Sequence, residues 1–135
     1  MIRGLAGEGR FASVGRGDLA RTLAAILANP EPHESRSYDV TGPAALSMDN
    51  VAAELSAASG RSISYVRETP EEAWESRRAS GVPDWQLAAW VGTYLQIARG
   101  DLDRVTDTVT AVTGHPPVPF AEHLRRHPED YERLL

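Results

Sequence analysis

The sequence contains no cysteine and no lysine, so all 14 of its basic side chains are arginines. Without cysteine there is no disulfide, no thiolate nucleophile and no cysteine-held zinc, which suits a reducing compartment. Without lysine there is no Schiff-base amine, no P-loop lysine and no Tyr-x-x-x-Lys pair. Long apolar runs are missing too. Nothing approaches the ~18 to 20 residues that span a bilayer, and the N-terminus lacks the basic and apolar regions of a secretion signal. The arginines are scattered through a chain of net charge −5 and form no basic stripe, which argues against a nucleic-acid partner. The expectation is a cytoplasmic protein with neither membrane nor nucleic acid as partner. Its 135 residues, 41% of them apolar, suit one domain with a core.

What is present reads as strands followed by helices. "RFASVG" (10–15) alternates between glycines as a strand does. Asp18 stands before "LARTLAAILAN", where Leu19, Leu23, Ile26 and Leu27 recur at helical spacing, and its carboxylate suits the open amides of a first turn. "RSYDVTG" (36–42) is the second predicted strand. Ser47 caps a helix in which Val51 and Leu55 face the core, and Gly60 stands where a C-terminal cap belongs. "SISYVRE" (62–68) is the third strand, with Ile63 and Tyr65 on one face. Thr69 or Pro70 opens a helix with acidic residues first and arginines last. Pro83 and Asp84 open another, with Leu87, Val91, Tyr94, Leu95 and Ala98 on one side and Gly100 at its end. "DLDRVTDTVTAVTG" is expected to be a further helix capped by Asp101 or Asp103. "HPPVPF" is an extended connector, and a short helix broken by Pro128 follows it.

Several familiar patterns fail on context. Gly4, Gly7 and Gly9 imitate a dinucleotide loop, but such a loop leaves a strand and enters a helix. Here three residues precede Gly4 and a strand follows Gly9, so a flexible surface loop is expected. Arg16-Gly17-Asp18 is an adhesion triplet only on an exposed extracellular loop, and Asp18 is better employed capping a helix. His123 and His127 have zinc spacing but no third ligand, so no metal is expected. Asp101, Asp103 and Asp107 lack the glycine of a calcium loop, since Thr106 stands there. Glu71 and Glu72 read as first-turn acids, and Ser37, Ser47 and Ser62 lack a nucleophile elbow. The aromatic set, Trp74, Trp85, Trp90 and Tyr94 with Tyr65, is either ordinary core or the lining of a cavity for a flat or hydrophobic ligand.

The ordered segments "GRFASVGRGDLARTLAAILANP" and "RSYDVTGPAALSMDNVAAELSAASGRSISYV", with "TGHPP" and Phe120 later, resemble the C-terminal half of the NmrA-like atypical short-chain dehydrogenases. That family includes NAD(P)H:quinone reductase-type enzymes and redox-sensing regulators. The resemblance implies an α/β fold, the C-terminal part of a Rossmann-like NAD(P)-binding fold. Residues 1–45 would supply the last strand and helix units, and residues 46–135 a mostly helical substrate-side lobe of a single incomplete domain. The family's Gly-x-x-Gly-x-x-Gly loop and its residues for NADP or NAD belong to an N-terminal half that this sequence does not show. No catalytic or cofactor-binding residue carries over, and no cofactor is expected for this chain alone. By position in the family pattern, Val14, Arg16, Thr41 and Pro43 lie toward the substrate side of the cleft. Trp85, Trp90 and Tyr94 are the pocket wall to place beside them, for a small hydrophobic or aromatic molecule.

Three readings follow from the resemblance. The chain is the substrate-binding portion of an NAD(P)-dependent oxidoreductase, inactive alone; or it belongs to a non-catalytic dinucleotide-sensing regulator; or it is a stand-alone small-ligand or protein-interaction domain. Whether it is an enzyme is left open. If the sheet is cut, strand edges at 10–15 and 36–42 lie open and self-association is expected.

Overall fold

A computed structural model describes residues 1–132; residues 133–135, the end of the polar tail expected after Pro128, lie outside them. The strands are short: β1 (Ile2–Gly4), β2 (Arg10–Phe11), β3 (Leu46–Ser47) and β4 (Tyr65–Arg67). The helices are α1 (Arg16–Ala28), α2 (Met48–Ser59), α3 (Pro70–Arg78), α4 (Asp84–Arg99), α5 (Thr108–Thr113), α6 (Phe120–Arg126) and α7 (Glu129–Glu132), with a 3-10 turn at Glu31–His33. The chain forms two compact units, each built from separated segments. One comprises Met1–Phe11 and Leu46–Asp103, the other Ala12–Ala45 and Arg104–Leu135. The sequence reading divides the chain once, after residue 45, whereas packing also divides it after Phe11 and Asp103.

In the first unit β1 runs parallel to β4, pairing Ile2 with Tyr65, Arg3 with Val66 and Gly4 with Arg67. β2 runs antiparallel to β3, pairing Arg10 with Ser47 and Phe11 with Leu46. One core cluster gathers Ala6, Met48, Ala52, Tyr65 and Ile97; a second gathers Leu5, Ala73 and Val91, and Tyr94 packs against both. Residues 5–9 do link β1 to β2 without regular structure, as expected, but the segment is no flexible surface loop. Gly4 ends a strand, Leu5 and Ala6 are core, and a Cβ on Gly4 or Gly9 would collide with the Tyr94 ring or the Ile97 carbonyl.

Caps set the helix boundaries much as the sequence predicts. The Ser47 hydroxyl accepts from the Asn50 amide while the Asn50 side chain accepts from the Ser47 amide, and Thr69 and Glu72 make the same reciprocal pair. Gly60 and Gly100 end α2 and α4 at φ of +68° and +80°, a conformation that penalises a Cβ. On α2, however, Met48 and Ala52 are buried while Val51 and Leu55 are only half-buried; on α4, Ile97 is buried and Ala98 exposed. The helix expected after residue 101 begins only at Thr108, with Asp107 before it, so neither Asp101 nor Asp103 caps it. Arg104 and Thr106 are tied to Asp39 and Thr41 instead, which holds residues 104–106 outside the helix.

The second unit departs further from the periodicity. α1 packs against α5, but the face of α1 that is buried carries Asp18 and Thr22, while Leu19, Leu23 and Leu27 are 38%, 52% and 79% exposed. Nor does Asp18 cap the helix: Gly15 is the N-cap, and the Asp18 carboxylate inside the first turn accepts from the Val118 amide at 2.8 Å and pairs with Arg21. With Asp18 buried, the Arg-Gly-Asp triplet presents only its first two residues. Residues 36–42 form no strand and make side-chain ties instead. The Thr106 amide donates to the Thr41 hydroxyl at 2.9 Å, and the Thr106 hydroxyl to the Asp39 carbonyl at 2.7 Å. Only Arg10–Phe11 of the strand expected at 10–15 pairs with a neighbour. A strand exists only beside a ladder, and these segments lack one among the described residues.

The glycine contacts give a stability test. Gly9→Ala must displace backbone and is expected to destabilise by roughly 1–3 kcal/mol. Gly17→Ala meets nothing within 4 Å on an exposed first turn and is expected to stabilise by about 0.4–1 kcal/mol. Thermal melts of the two variants should move in opposite directions; an unchanged Gly9→Ala melt would refute the close packing.

Candidate functional site

A hollow lies within the first unit, on α3 and α4. Its volume is about 340 Å³, it is open to solvent, and Arg77, Trp90, Thr93 and Tyr94 line it. Positions 90, 93 and 94 share one face of α4 because three- and four-residue steps return to the same side of a helix. Tyr94 is held from behind by Gly4, whose missing Cβ leaves room for the ring. The Arg77 guanidinium stands 5.2 Å from the Tyr94 ring centroid, within cation–π range.

Arg77 is fixed by a network under the hollow. Its Nη1 donates to Glu68 Oε2 at 2.7 Å, to the Ala73 carbonyl at 2.8 Å and to the Ser76 hydroxyl at 3.1 Å, and its Nη2 donates to the Arg3 carbonyl at 3.1 Å. The Arg3 Nε donates to the other Glu68 oxygen at 2.9 Å. Burial of the Glu68 carboxyl works to raise its pKa, but the hydrogen bonds from Arg77, Ser76 and Arg3 and the Arg77 charge prevail, and the net position is below the ordinary 4.5. Tyr65 is different in kind. Its hydroxyl donates to the Gly4 carbonyl at 2.8 Å and accepts from the Ala6 amide at 2.9 Å. Burial raises its pKa, partly offset by the Ala6 bond, so it stays a phenol and serves the fold.

The residues singled out from the sequence fall in both units. Trp90 and Tyr94 meet at the hollow, whereas Trp85 is 73% exposed and is not part of its lining. Trp74 packs against the second core cluster. In the other unit Gly42 lies against the Ser13 carbonyl, so the half-buried Val14 and Thr41 come from adjoining segments, while Arg16 and Pro43 are exposed. The sequence reading misses Arg77, Thr93 and Glu68. Thr93 was legible from its three-residue step beyond Trp90; Arg77 passes as an ordinary last-turn cation, and nothing local links it to Glu68 nine residues earlier.

The N-termini of the longer helices offer a pyrophosphate a poor seat. A pyrophosphate needs open amides at a helix N-terminus, yet the first turns of α1, α2, α3 and α4 each carry a carboxylate: Asp18, Asp49, Glu71 with Glu72, and Asp84. The amides of α2 and α3 are further occupied by their capping boxes. At Gly4 and Gly9 the space a ligand would use is already filled by Tyr94 and Ile97. Among the described residues, no group of three His, Asp or Glu could hold a metal, and no helix is long and apolar enough to cross a membrane. His123 and His127 instead bond Asp130 and Glu129 at 2.8 and 3.0 Å.

By sequence and fold together, the chain is related to NAD(P)H-dependent oxidoreductases and has the α/β arrangement of part of a Rossmann-like enzyme. It is 40% identical over 121 residues to an NAD(P)H azoreductase of Xenophilus azovorans, covering 90% of this chain and 42% of that protein. It is 28% identical over 119 residues to quinone oxidoreductase 2 of Escherichia coli, 88% of this chain and 41% of that one. An NADPH-dependent quinone oxidoreductase structure from Escherichia coli superposes with a TM-score of 0.84 at 27% identity, over 92% of this chain and 45% of its own. The triphenylmethane reductase of a Citrobacter species gives 0.83 at 26% identity, over 95% and 44%. The chain thus spans less than half the length of the curated relatives it matches. No family model matches it.

The depressed Glu68 pKa has a pH signature. A carboxylate whose folded pKa lies below its unfolded value stabilises the fold above the unfolded pKa, and that contribution is lost as pH falls through the folded value. Melting temperature should therefore drop as pH is lowered from about 5 through the region below 4.5. Glu68→Gln should melt lower at pH 7 and show a shallower fall across the same window. Parallel curves for the two proteins would refute the ion network.

Proposed function

We propose that this chain is the substrate-side portion of an NAD(P)-dependent oxidoreductase of the NmrA-like, quinone reductase-like type, and that the hollow at Trp90 and Tyr94 receives a flat aromatic acceptor. The observation that carries this is the 40% identity to an NAD(P)H azoreductase over nine-tenths of the chain. The names of the relatives supply the substrate class: azo compounds, quinones and triphenylmethane dyes all present flat conjugated rings. Two aromatic side chains on one face of α4 offer π-surfaces of the kind such molecules stack on.

In this reading the reduced nicotinamide is held elsewhere in the complete enzyme and supplies the hydride when bound. The acidic first turns of α1 to α4 support that assignment. The present residues then bind and orient the acceptor. Val14, Arg16, Thr41 and Pro43 are assigned to the substrate side on the family pattern alone, with Trp85 as an outer residue of the same helix as Trp90.

Equilibrium dialysis of the chain with 1,4-naphthoquinone and with NADPH tests the proposal, and the lack of cysteine leaves no thiol to trap the quinone. Saturable naphthoquinone binding is expected, weakened about tenfold or more in Trp90→Ala, with no saturable NADPH binding at micromolar concentrations. Absence of quinone binding would overturn the substrate-side reading, and micromolar NADPH binding would overturn the placement of the cofactor.

A further inference from the structure

The hollow carries more than two ring faces. We propose that it selects planar aromatics bearing an anionic substituent, an aryl carboxylate or sulfonate, with the Arg77 guanidinium reading the charge while Trp90 and Tyr94 hold the ring. This deepens the acceptor reading above and rests on it for the role of the hollow.

An uncharged acceptor would need only stacking surface, and a surface arginine would ordinarily be mobile and solvated. Arg77 is neither. Its side chain is only 14% exposed, and four oxygens from Glu68, Ala73, Ser76 and Arg3 fix the plane of its guanidinium. All four bonds are made by Nη1 and Nη2. Among the described residues Nε has no acceptor, and arginine's fork suits an incoming carboxylate or sulfonate. Ordering costs are already met by the protein's own bonds, which favours binding by a fixed cation over a flexible one.

The charge balance points the same way. Glu68 is the carboxylate paired with Arg77, and its side chain is fully buried behind it. Arg3 also pairs with Glu68, so two guanidiniums share one carboxylate and the trio keeps one positive charge. The Arg77 end of this trio lies beside the Tyr94 ring, at the wall of a space near the lower end of the roughly 300–1,000 Å³ usual for small-molecule sites. The Thr93 hydroxyl donates to the Ala89 carbonyl at 3.0 Å and so faces a ligand as an acceptor or not at all. Arg77 is left as the group that distinguishes charge. Glu68 and Arg3 act through it and are positioning residues.

The test compares 2-naphthoate with its neutral analogue 2-naphthamide by equilibrium dialysis at low salt. The naphthoate is expected to bind at least tenfold more tightly, about 1.4 kcal/mol, and to lose this advantage in Arg77→Gln, whereas Trp90→Ala should weaken both ligands alike. Because Arg77→Gln leaves a buried carboxylate short of its partner, the double variant Arg77→Gln/Glu68→Gln is measured beside it, with a melt to show that it folds. Equal affinity for the two ligands in the unaltered chain, or a preference that survives in the folded double variant, would overturn the proposal. The two readings fail separately: naphthamide and naphthoquinone binding without preference leaves the acceptor site standing, and naphthoate binding without naphthoquinone binding removes the acceptor reading alone.

Discussion

The first unit depends on one buried hydroxyl. Tyr65 gives its proton to the Gly4 carbonyl and takes one from the Ala6 amide, at 2.8 and 2.9 Å, so it satisfies the backbone at the point where β1 leaves the sheet. A backbone group buried there without a partner would cost on the order of 1–3 kcal/mol. The same Gly4 carbonyl also accepts from the Glu68 amide at 2.8 Å, which uses both lone pairs and locks β1 beside β4. Leu5 and Ala6 are thereby committed to the two core clusters, and everything else in the unit packs onto that commitment.

Tyr94 transmits this arrangement to the candidate site. It packs against both clusters and lies over Gly4, so its ring has little freedom. Arg77 then rests beside that ring and ties α3 to the end of β4 through Glu68. Two of the lining side chains, Tyr94 and Arg77, are therefore held by the core and by the Glu68 network, and a held group is what lets a shallow site discriminate between ligands.

Local signals survived well in the sequence. Ser47 with Asn50, Thr69 with Glu72, Gly60 and Gly100 all act through bonds within a few residues, and their effects were legible without a fold. Burial was less legible. On α1 the leucines at 19, 23 and 27 had the stronger periodicity, but Asp18 and Thr22 are inside because each of their polar groups has a partner: the Val118 amide and Arg21 for the Asp18 carboxylate, the Asp18 carbonyl for the Thr22 hydroxyl. Segments 10–15 and 36–42 had strand-like composition, yet pairing is a property of two segments, and only Arg10–Phe11 found a neighbour. The hollow is half legible, since Trp90 and Tyr94 stand at helical spacing as a wall, while Arg77 depends on a carboxylate that no local pattern connects to it.

The sequence by itself determined the start of α3, the ends of α2 and α4 and the cap of α2, the absence of thiol and lysine chemistry, and an order of segments like that of NAD(P)H-dependent oxidoreductases, because each of these is written in residue identity and short-range spacing. Only the tertiary structure decided that Gly4 and Gly9 are packing contacts instead of parts of a flexible surface loop, and that Arg77 stands fixed over Tyr94. Both rest on contacts that periodicity does not reach: Gly4 with Tyr94, Gly9 with Ile97 and Arg77 with Arg3 lie far apart in the chain, and Arg77 meets Glu68 and Tyr94 across separate elements.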